Sequence, residues 1–349
     1  MKTKLLFSIF FISILGYAQD GTLDLDFGDG KGYVLTDYQN GDDGIEEFDI
    51  QDDGKFISVG YSYDIDNNQQ ILVFRNLPNG QLDLSFGTDG FTKLDFIQNG
   101  KANSIFDLSI NKYDNKIYIT GYLYDDNEED NIDIKSEIFI IRLNNLGELD
   151  ESFNENGILR TSFGFESAGP ATSIVFHDDK KFTIPVAIGS INSQVMPALA
   201  KFNSDGSLDS SYGDNGISFF EVPNSDLAII YSIILLDNGS ILGTGMSYNF
   251  ITETGDLLLF KMTSSGNLDL NFGSEGILLK DIDGLNTALD IDTGYNLAVQ
   301  SDGKIIVAAQ YDDEKLAIIR FLNNGTEDFT LIVLRYKSLW EAIMNARDY

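Results

Sequence analysis

Apolar and polar side chains alternate with a period of two along most of the chain. In residues 55–62 (KFISVGYS), the β-branched and aromatic residues alternate with smaller ones, and a glycine-containing turn comes directly before them. This alternation and these residue types are typical of β-strands. The first stretch of about 60 residues contains four such runs, at 31–38, 45–51, 55–62 and 69–77. Because helical periodicity is nearly absent before the C-terminus, the pattern predicts an all-β fold.

One loop-forming motif recurs along the chain at a nearly constant interval. Its copies are DGTLDLDFGDGKG (20–32), NGQLDLSFGTDG (79–90), LGELDESFNENG (146–157), DGSLDSSYGDNG (205–216) and SGNLDLNFGSEG (265–276). Counted from the aspartate after the leucine, and including a broken copy at Asp328, the intervals are 59, 67, 59, 60 and 59 residues. Two strand motifs, DDGKFISVGYS (52–62) and ILVFRNL (71–77), recur in the same phase. Three motifs in phase predict a repeat architecture.

Four strands in each repeat predict the blades of a β-propeller, because a single four-stranded sheet cannot bury both of its faces alone. We expect about five blades, with units near 19–78, 79–145, 146–204, 205–264 and 265–323. The longer second interval is explained by an acidic insertion at 125–137.

Residues 324–349 form a degenerate or truncated sixth unit and tail, predicted as a strand (329–336) and a short helix. That helix has Ser338 and Glu341 at capping-box spacing and Trp340 just inside. The tail is either a truncated unit or a strand that docks on the first blade and helps to close the ring.

The recurring motif has a structural interpretation that needs no ligand. Its asparagine–glycine or aspartate–glycine dipeptide suits a tight turn, and its closing glycine lets the chain reverse. The leucine and the aromatic residue can pack between adjacent blades. The aspartate and the small polar residue two positions later can hydrogen-bond loop backbone N–H groups.

These motifs resemble the delta-60 repeat, which is grouped with β-propeller domains of unknown function in exported bacterial proteins. The resemblance rests on R-L/F-N-x-x-G-x-L-D-x-S-F-G-x-x-G followed by D-G-K-I, and it covers about residues 20–328. It implies the propeller fold and an envelope or extracellular setting. It implies no particular activity.

The N-terminal segment predicts export. Lys2 and Lys4 precede an apolar run, and the small residues before Gln19 suit a signal peptidase, so residues 1–18 are predicted to be a signal peptide cleaved near Ala18. We therefore expect a monomer at the cell surface, in the periplasm or outside the cell. No later segment approaches a membrane span, and none of the residues is cysteine. The net charge of -32 argues against nucleic-acid and membrane-surface partners.

Candidate chemistry is sparse. Asp24, Asp26 and Asp29 resemble a calcium loop, but other copies carry serine or asparagine at the second position, which favours backbone capping. The insertion at 125–137 is a denser oxygen source, but a solvated acidic loop is the favoured interpretation, because runs of like charge repel each other. The glycines of GDGKGY (28–33) are in register with the other copies, so a phosphate cradle is not expected. His177 has no recognisable nucleophile to activate and is expected in a surface turn.

The sequence assigns no catalytic, cofactor-binding or metal-binding residue, and calcium is the one candidate ion. The function that it favours is a secreted, non-enzymatic binding or scaffold module for a protein or glycan, with the ligand held by loops at one end of the central channel. The alternative is an extracellular hydrolase or lyase that uses channel-facing carboxylates. A structural part of a longer surface protein is a third interpretation.

Overall fold

The computed structural model describes residues 21–39, 41–64, 69–94, 101–125, 136–189, 194–284, 290–312 and 315–328. These residues form strands, turns and loops and contain no helix, so none of them forms an apolar helix able to cross a membrane. The predicted signal peptide, most of the acidic insertion and the predicted tail from Phe329 onward lie outside the described residues.

The strands are arranged in five consecutive units. The first unit contains β1 (Asp43–Ile50), β2 (Phe56–Tyr63), β3 (Gln69–Asn76) and β4 (Phe91–Leu94). The second contains β5 (Lys101–Asn111), β6 (Lys116–Asp125), β7 (Ser136–Leu143) and β8 (Ile158–Thr161). The third contains β9 (Ser167–Gly169), β10 (Val175–Phe176), β11 (Phe182–Gly189), β12 (Val195–Phe202) and β13 (Ile217–Phe219). The fourth contains β14 (Leu227–Leu235), β15 (Ile241–Asn249), β16 (Thr254–Met262) and β17 (Ile277–Lys280), and the fifth contains β18 (Thr293–Val299), β19 (Ile305–Tyr311) and β20 (Lys315–Phe321).

Within each unit, consecutive strands pair antiparallel in chain order. The third and fourth units are connected through one parallel pair, Val195 with Leu227, and are otherwise separate antiparallel sheets. The first strand of the third unit is broken into β9 and β10, both paired with β11. Pro170, in the break, has no N–H group to donate to a ladder.

The copies of the recurring motif are called repeat loops below, and the four copies at 79–90, 146–157, 205–216 and 265–276 each lie inside a sheet, between its third and fourth strands. The fourth strand of the first sheet, β4, therefore follows the repeat loop at 79–90. The prediction of a strand at 31–38 is wrong, since the structure has no strand there. The equivalent strands β4, β8, β13 and β17 each pair with a third strand that comes before the repeat loop, and no such strand precedes residues 31–38 among the described residues.

Neighbouring sheets bury their facing sides against each other. Four apolar clusters occupy the four junctions. The first joins Ile57 and Val59 of β2 to Leu108 of β5, and the last joins Leu257 of β16 to Val307 of β19. The outward faces at the two ends of the array expose large apolar side chains, which include Ile45, Phe48 and Ile50 on β1 and Leu316 and Ile318 on β20. The repeat thus builds an all-β array of side-by-side sheets, as the sequence predicts.

Candidate functional site

The two ends of the sheets carry different chemistry. The turn between the first and second strands and the repeat loop lie at one end of each sheet, which is called the loop end. The turn between the second and third strands and the crossover to the next unit lie at the opposite end, called the crossover end. Lys55, in a first turn, lies 3.4 Å from Asp83 in a repeat loop, which fixes this arrangement in the first sheet.

At the loop end, the motif aspartate forms an ion-pair network with the strands beside it. In the second repeat, Asp150 Oδ2 lies 2.8 Å from Arg142 Nε on β7 and 2.9 Å from Lys116 Nζ on β6. Its other oxygen, Oδ1, accepts hydrogen bonds from the backbone N–H and hydroxyl of Ser152, at 3.2 and 2.7 Å. The equivalent aspartate of four other repeats also pairs with a basic residue of the third strand: Arg75 with Asp83, Lys201 with Asp209, Lys261 with Asp269 and Arg320 with Asp328.

These contacts hold the motif carboxylates in their ionised form. Burial alone would raise the pKa of Asp150, but hydrogen bonds from Lys116 and Ser152 and the charge of Arg142 lower it to about 2. The pKa values of Asp83 and Asp209 are lowered to about 2 for corresponding reasons. The prediction that the motif aspartate bonds loop N–H groups is confirmed, and the basic partners explain why the third-strand motif carries arginine or lysine.

Consecutive repeat loops also contact each other directly. The Phe153 ring lies under Gly206 of the next loop, where an added Cβ atom would lie 2.8 Å from the ring, and Asn154 N donates to Asp205 O at 2.9 Å. The φ angle of Gly206 is 90°, a conformation that favours glycine. The same aromatic-on-glycine contact joins Phe27 to Gly80, Phe86 to Gly147, Tyr212 to Gly266 and Phe272 to Gly325. The predicted packing of the aromatic residue between neighbouring units is therefore confirmed.

The acidic residues of the first repeat loop follow the common pattern. Asp24, Asp26 and Asp29 are exposed, and Asp24 Oδ1 accepts a hydrogen bond from Asp26 N at 2.9 Å, as its equivalents do. Gly28 N donates to Asn79 O at 2.9 Å, so GDGKGY forms a loop–loop contact. Within the described residues this segment has the geometry of backbone capping.

The expectation that His177 lies in a surface turn is wrong. His177 is buried between β10 and β11, and its Nε2 lies 2.9 Å from Thr183 Oγ1. Burial, followed by the charge of Lys201, lowers its pKa to about 4. The imidazole is therefore neutral near pH 7 and packs as part of the strand-to-strand turn.

A β-bulge recurs on the first strand of four units and was not apparent from the sequence. The extra residues are Glu46, Phe106, Tyr231 and Tyr295. Bulges redirect side chains and often lie beside functional sites. Phe106 stacks on Tyr122 at 5.5 Å between centroids, and Tyr231 contacts Tyr295 at 5.3 Å. The sequence did contain one indication of these bulges, because two adjacent bulky residues, such as Ile105 and Phe106, interrupt the alternation of large and small side chains.

A partly buried acid, Asp107, lies on β5, directly after the bulge residue Phe106. Burial raises the pKa of Asp107 to about 7, and the charges of Glu47 and Asp49 add to the effect. Ser109 Oγ donates to Asp107 at 3.0 Å, and Asp49 Oδ2 accepts from Ile110 N at 2.8 Å. Asp49 thus connects β1 to β5, whereas Asp107 is bonded within its own strand, and these bonds are sufficient to explain the position of both carboxylates.

Among the described residues, a cluster of acidic groups lies at the crossover end, between the fourth and fifth sheets. Asp281 and Asp283 follow β17, while Asp290 and Asp292 precede β18; these four residues are called the crossover cluster. Ligand oxygens of Asp281, Asp283 and Asp290 all lie within 4.8 Å of one another. The intervening Ile282 is buried in the core, which leaves the two aspartates beside it on the other side of the chain.

Backbone pairing with the fourth sheet positions the second half of the crossover cluster. Gly255 N, on β16, donates to Asp290 O at 2.8 Å, and Asp292 N donates to Gly255 O at 2.9 Å. An added Cβ at Gly255 would lie 3.1 Å from Ile291 Cγ2, so the absence of a side chain permits this close approach. Burial, and then the charges of Asp290, Asp281 and Asp283, raise the pKa of Asp292 to about 7.

Exposed apolar side chains lie on the neighbouring turn between β15 and β16. Tyr248 and Phe250 form an edge-to-face pair at 5.6 Å, and Ile251 is 89% exposed. Tyr248 also lies beside Gly255, the residue that pairs with the crossover cluster. The sequence carried a signal for this region that was missed, because the tripeptide Asp-Ile-Asp stands at both ends of the crossover, at 281–283 and 290–292.

Three segments of the chain match a family described as "Domain of unknown function (DUF5122) beta-propeller": residues 51–86, 186–212 and 300–328. Each segment includes part of a second or third strand together with a repeat loop or its beginning. The match supports a β-propeller domain of unknown function. No curated protein sequence matches the chain.

Several solved structures have a similar arrangement of strands. An ulvan lyase of polysaccharide lyase family PL25 aligns with a TM-score of 0.43 and 10% identity, covering 82% of this chain and 69% of the lyase. The Hadza microbial sialidase Hz136 aligns with a TM-score of 0.41 and 11% identity, covering 81% of this chain and 56% of the sialidase. An endo-arabinase from Bacteroides thetaiotaomicron aligns with a TM-score of 0.37 and 9% identity, covering 82% of this chain and 95% of the arabinase. Similarity this weak says nothing about the activity of the present chain.

Proposed function

We propose that the protein is an exported, non-enzymatic β-propeller module that binds a glycan at its crossover end. The observation that carries this proposal is the combination, within one region, of converging carboxylates with an exposed aromatic turn. At the loop end, by contrast, the motif carboxylates are already paired with lysine or arginine.

The chemistry of the crossover end suits a ligand rich in hydroxyl groups. Carboxylate oxygens accept hydrogen bonds from hydroxyl donors, while the Phe250 ring and Ile251 offer an apolar contact surface. An exposed apolar patch beside polar groups is typical of an interaction site. Because the chain has a net charge of -32, a neutral glycan is favoured over a polyanionic one.

A glycan array probed with the full chain tests this proposal, followed by affinity measurements on the best ligand. Replacing both Phe250 and Ile251 by serine is expected to weaken binding about tenfold or more. The matched control is Leu270→Ser, because Leu270 is 71% exposed but lies in a repeat loop at the opposite end; its affinity should stay within about twofold. Equal losses in both variants, binding of a protein but no glycan, or turnover of the bound glycan would contradict the proposal.

A second candidate function is carboxylate-based hydrolysis or elimination of a sugar polymer. The observation that favours it is Asp107, whose burial raises its pKa to about 7 while Glu47 and Asp49 lie nearby. Measurable turnover that disappears in Asp107→Asn, in a variant that still folds, would support this function over simple binding.

We also propose that the five units are five blades of one ring, closed by the N-terminal segment. The fifth sheet has three strands among the described residues, whereas Tyr33–Thr36 have the sequence position of a fourth strand without a sheet. In the four complete units, the residue two positions after the closing glycine pairs with the residue two positions before the third-strand arginine or lysine: Thr92 with Val73, Leu159 with Ile140, Ser218 with Leu199 and Leu278 with Leu259. The same register pairs Val34 with Ile318.

Because the chain contains no cysteine, a disulfide can test this register without interference. The double variant Val34→Cys with Ile318→Cys should form a disulfide within one chain under mild oxidation, visible as a mobility shift that reductant reverses. The control, Val34→Cys with Leu316→Cys, is displaced by two positions and should cross-link poorly. A cross-link between two chains would indicate pairing of separate copies, and no cross-link in either pair would exclude the proposed register.

A further inference from the structure

The crossover cluster presents an all-oxygen set of ligands supplied by the two ends of one crossover. Asp281 and Asp283 come from the end that leaves β17, and Asp290 and Asp292 come from the end that enters β18. Oxygens of the first three residues lie within 4.8 Å of one another, close enough to contact a single ion.

The buried carboxylate of Asp292 is a second, independent indication of a ligand. Asp292 is only 1% exposed, and its Oδ2 accepts a hydrogen bond at 2.5 Å from Ile282 N, the backbone group between Asp281 and Asp283. The Asp292 carboxylate therefore faces the cluster. Its Oδ1 has no hydrogen-bond partner among the described residues. A buried carboxylate oxygen without a partner is strongly unfavourable, so a group that contacts Oδ1 would stabilise the fold.

We propose that Asp281, Asp283, Asp290 and Asp292 bind one Ca²⁺ ion. Oxygen-only ligands select hard divalent cations over zinc or copper, which favour nitrogen or sulfur. Ca²⁺ accepts irregular sets of carboxylates, whereas Mg²⁺ demands near-octahedral geometry and retains several waters. Four carboxylates from two short segments, with one of them buried, suit the larger and more tolerant ion.

Such an ion would connect the fourth and fifth sheets. Residues 290–292 pair with Gly255 of β16, and Asp292 leads directly into β18, so the ion would fix the crossover against both sheets. The site does not depend on the proposed glycan function. It lies beside the Tyr248 and Phe250 turn, however, and would organise one edge of that surface.

Calorimetric titration of the calcium-free, full-length chain tests the site. We expect one Ca²⁺ bound per chain, a rise in the thermal unfolding midpoint with Ca²⁺ concentration, and much weaker binding of Mg²⁺. Asp283→Asn and Asp292→Asn should each weaken Ca²⁺ binding about tenfold or more, because each removes one charged ligand. The matched control is Asp52→Asn, an exposed aspartate in the turn after β1, which should bind Ca²⁺ like the wild type.

Terbium luminescence provides a second measurement that does not depend on unfolding. Tb³⁺ should occupy the same oxygen ligands, show emission sensitised by nearby tyrosine, and be displaced by Ca²⁺ but not by Na⁺. Asp283 is only partly buried, so its asparagine variant should fold even where Asp292→Asn does not. Absence of Ca²⁺ binding by the wild type would overturn the proposal. Weak binding of several ions, unchanged in Asp283→Asn, would show general attraction to an acidic protein and would overturn it equally.

Discussion

The loop end and the crossover end of the sheets use aspartate in opposite ways. At the loop end, five motif aspartates each lie beside a basic residue of the third strand, and four of them also accept a hydrogen bond from the serine or asparagine two positions later. At the crossover end, Asp281, Asp283 and Asp290 lie beside one another, and this cluster occurs once among the described residues. Residues that recur in every repeat stabilise the fold, whereas residues that occur once are the better candidates for function.

Replacing a loop-end aromatic residue should have the largest effect on stability. Phe153 is fully buried, packs under Gly206 and lies 4.8 Å from the Arg142 guanidinium. Phe153→Ala should therefore lower the free energy of unfolding by about 4 kcal/mol, measured by denaturant titration. Phe250→Ala, at the crossover end, removes an aromatic ring that is 47% exposed and should change stability by about 0.5 kcal/mol or less. Similar losses in the two variants would remove the distinction between the ends.

Removing a motif carboxylate should have the next largest effect. Asp150→Asn leaves the Arg142 guanidinium, with a side chain only 4% exposed, without its counter-ion, and should lower the free energy of unfolding by about 3 kcal/mol. The equivalent change in the fourth repeat, Asp269→Asn, affects a pair with about a fifth of each side chain exposed and should lose about 1 kcal/mol or less. An equal loss in both repeats would show that burial does not set the strength of these pairs.

The sequence was sufficient to predict the repeat, the strand content and the role of the loop motif, because those features recur in phase. It placed the aromatic residues between sheets correctly for the same reason. It did not predict that the first four sheets take their fourth strand from beyond the repeat loop, since alternation identifies a strand but not its partner. That omission is why residues 31–38 were predicted as a paired strand.

The crossover cluster was harder to predict for a physical reason. The cluster forms only because two Asp-Ile-Asp segments meet in space, and their approach is fixed by pairing of residues 290–292 with Gly255, more than thirty residues earlier. The burial of His177 was missed for a similar reason, because its partner Thr183 lies on the adjacent strand. The exposure of an individual turn residue depends on how neighbouring sheets pack around it. The alternation of apolar and polar residues along the chain gives no information about that packing.

The pH dependence of stability should distinguish the loop-end carboxylates individually. The pKa of Asp150 is lowered from its ordinary value of 3.8 to about 2 in the folded protein. Its ionised form therefore stabilises the fold above about pH 4, and this contribution is lost as the pH falls from about 4 to about 2. Between these pH values the wild type should lose about 2 kcal/mol more of its unfolding free energy than Asp150→Asn, measured by urea titration at each pH. Parallel acid profiles would show that Asp150 is not held ionised by the fold.

The smallest expected change in stability is a gain, unlike the losses at the loop end, and it comes from removing an aspartate of the crossover cluster. In calcium-free buffer, Asp283→Asn removes one of several neighbouring negative charges and should raise the free energy of unfolding by about 0.5 kcal/mol. Asp52→Asn should leave it nearly unchanged, and the comparison can be made by denaturant titration of the two variants in parallel. Saturating Ca²⁺ should make the wild type more stable than Asp283→Asn, because the bound ion stabilises the wild type more than it stabilises the variant. A loss of stability in Asp283→Asn without Ca²⁺ would mean that this carboxylate, like those of the loop end, is already balanced by the protein's own cations.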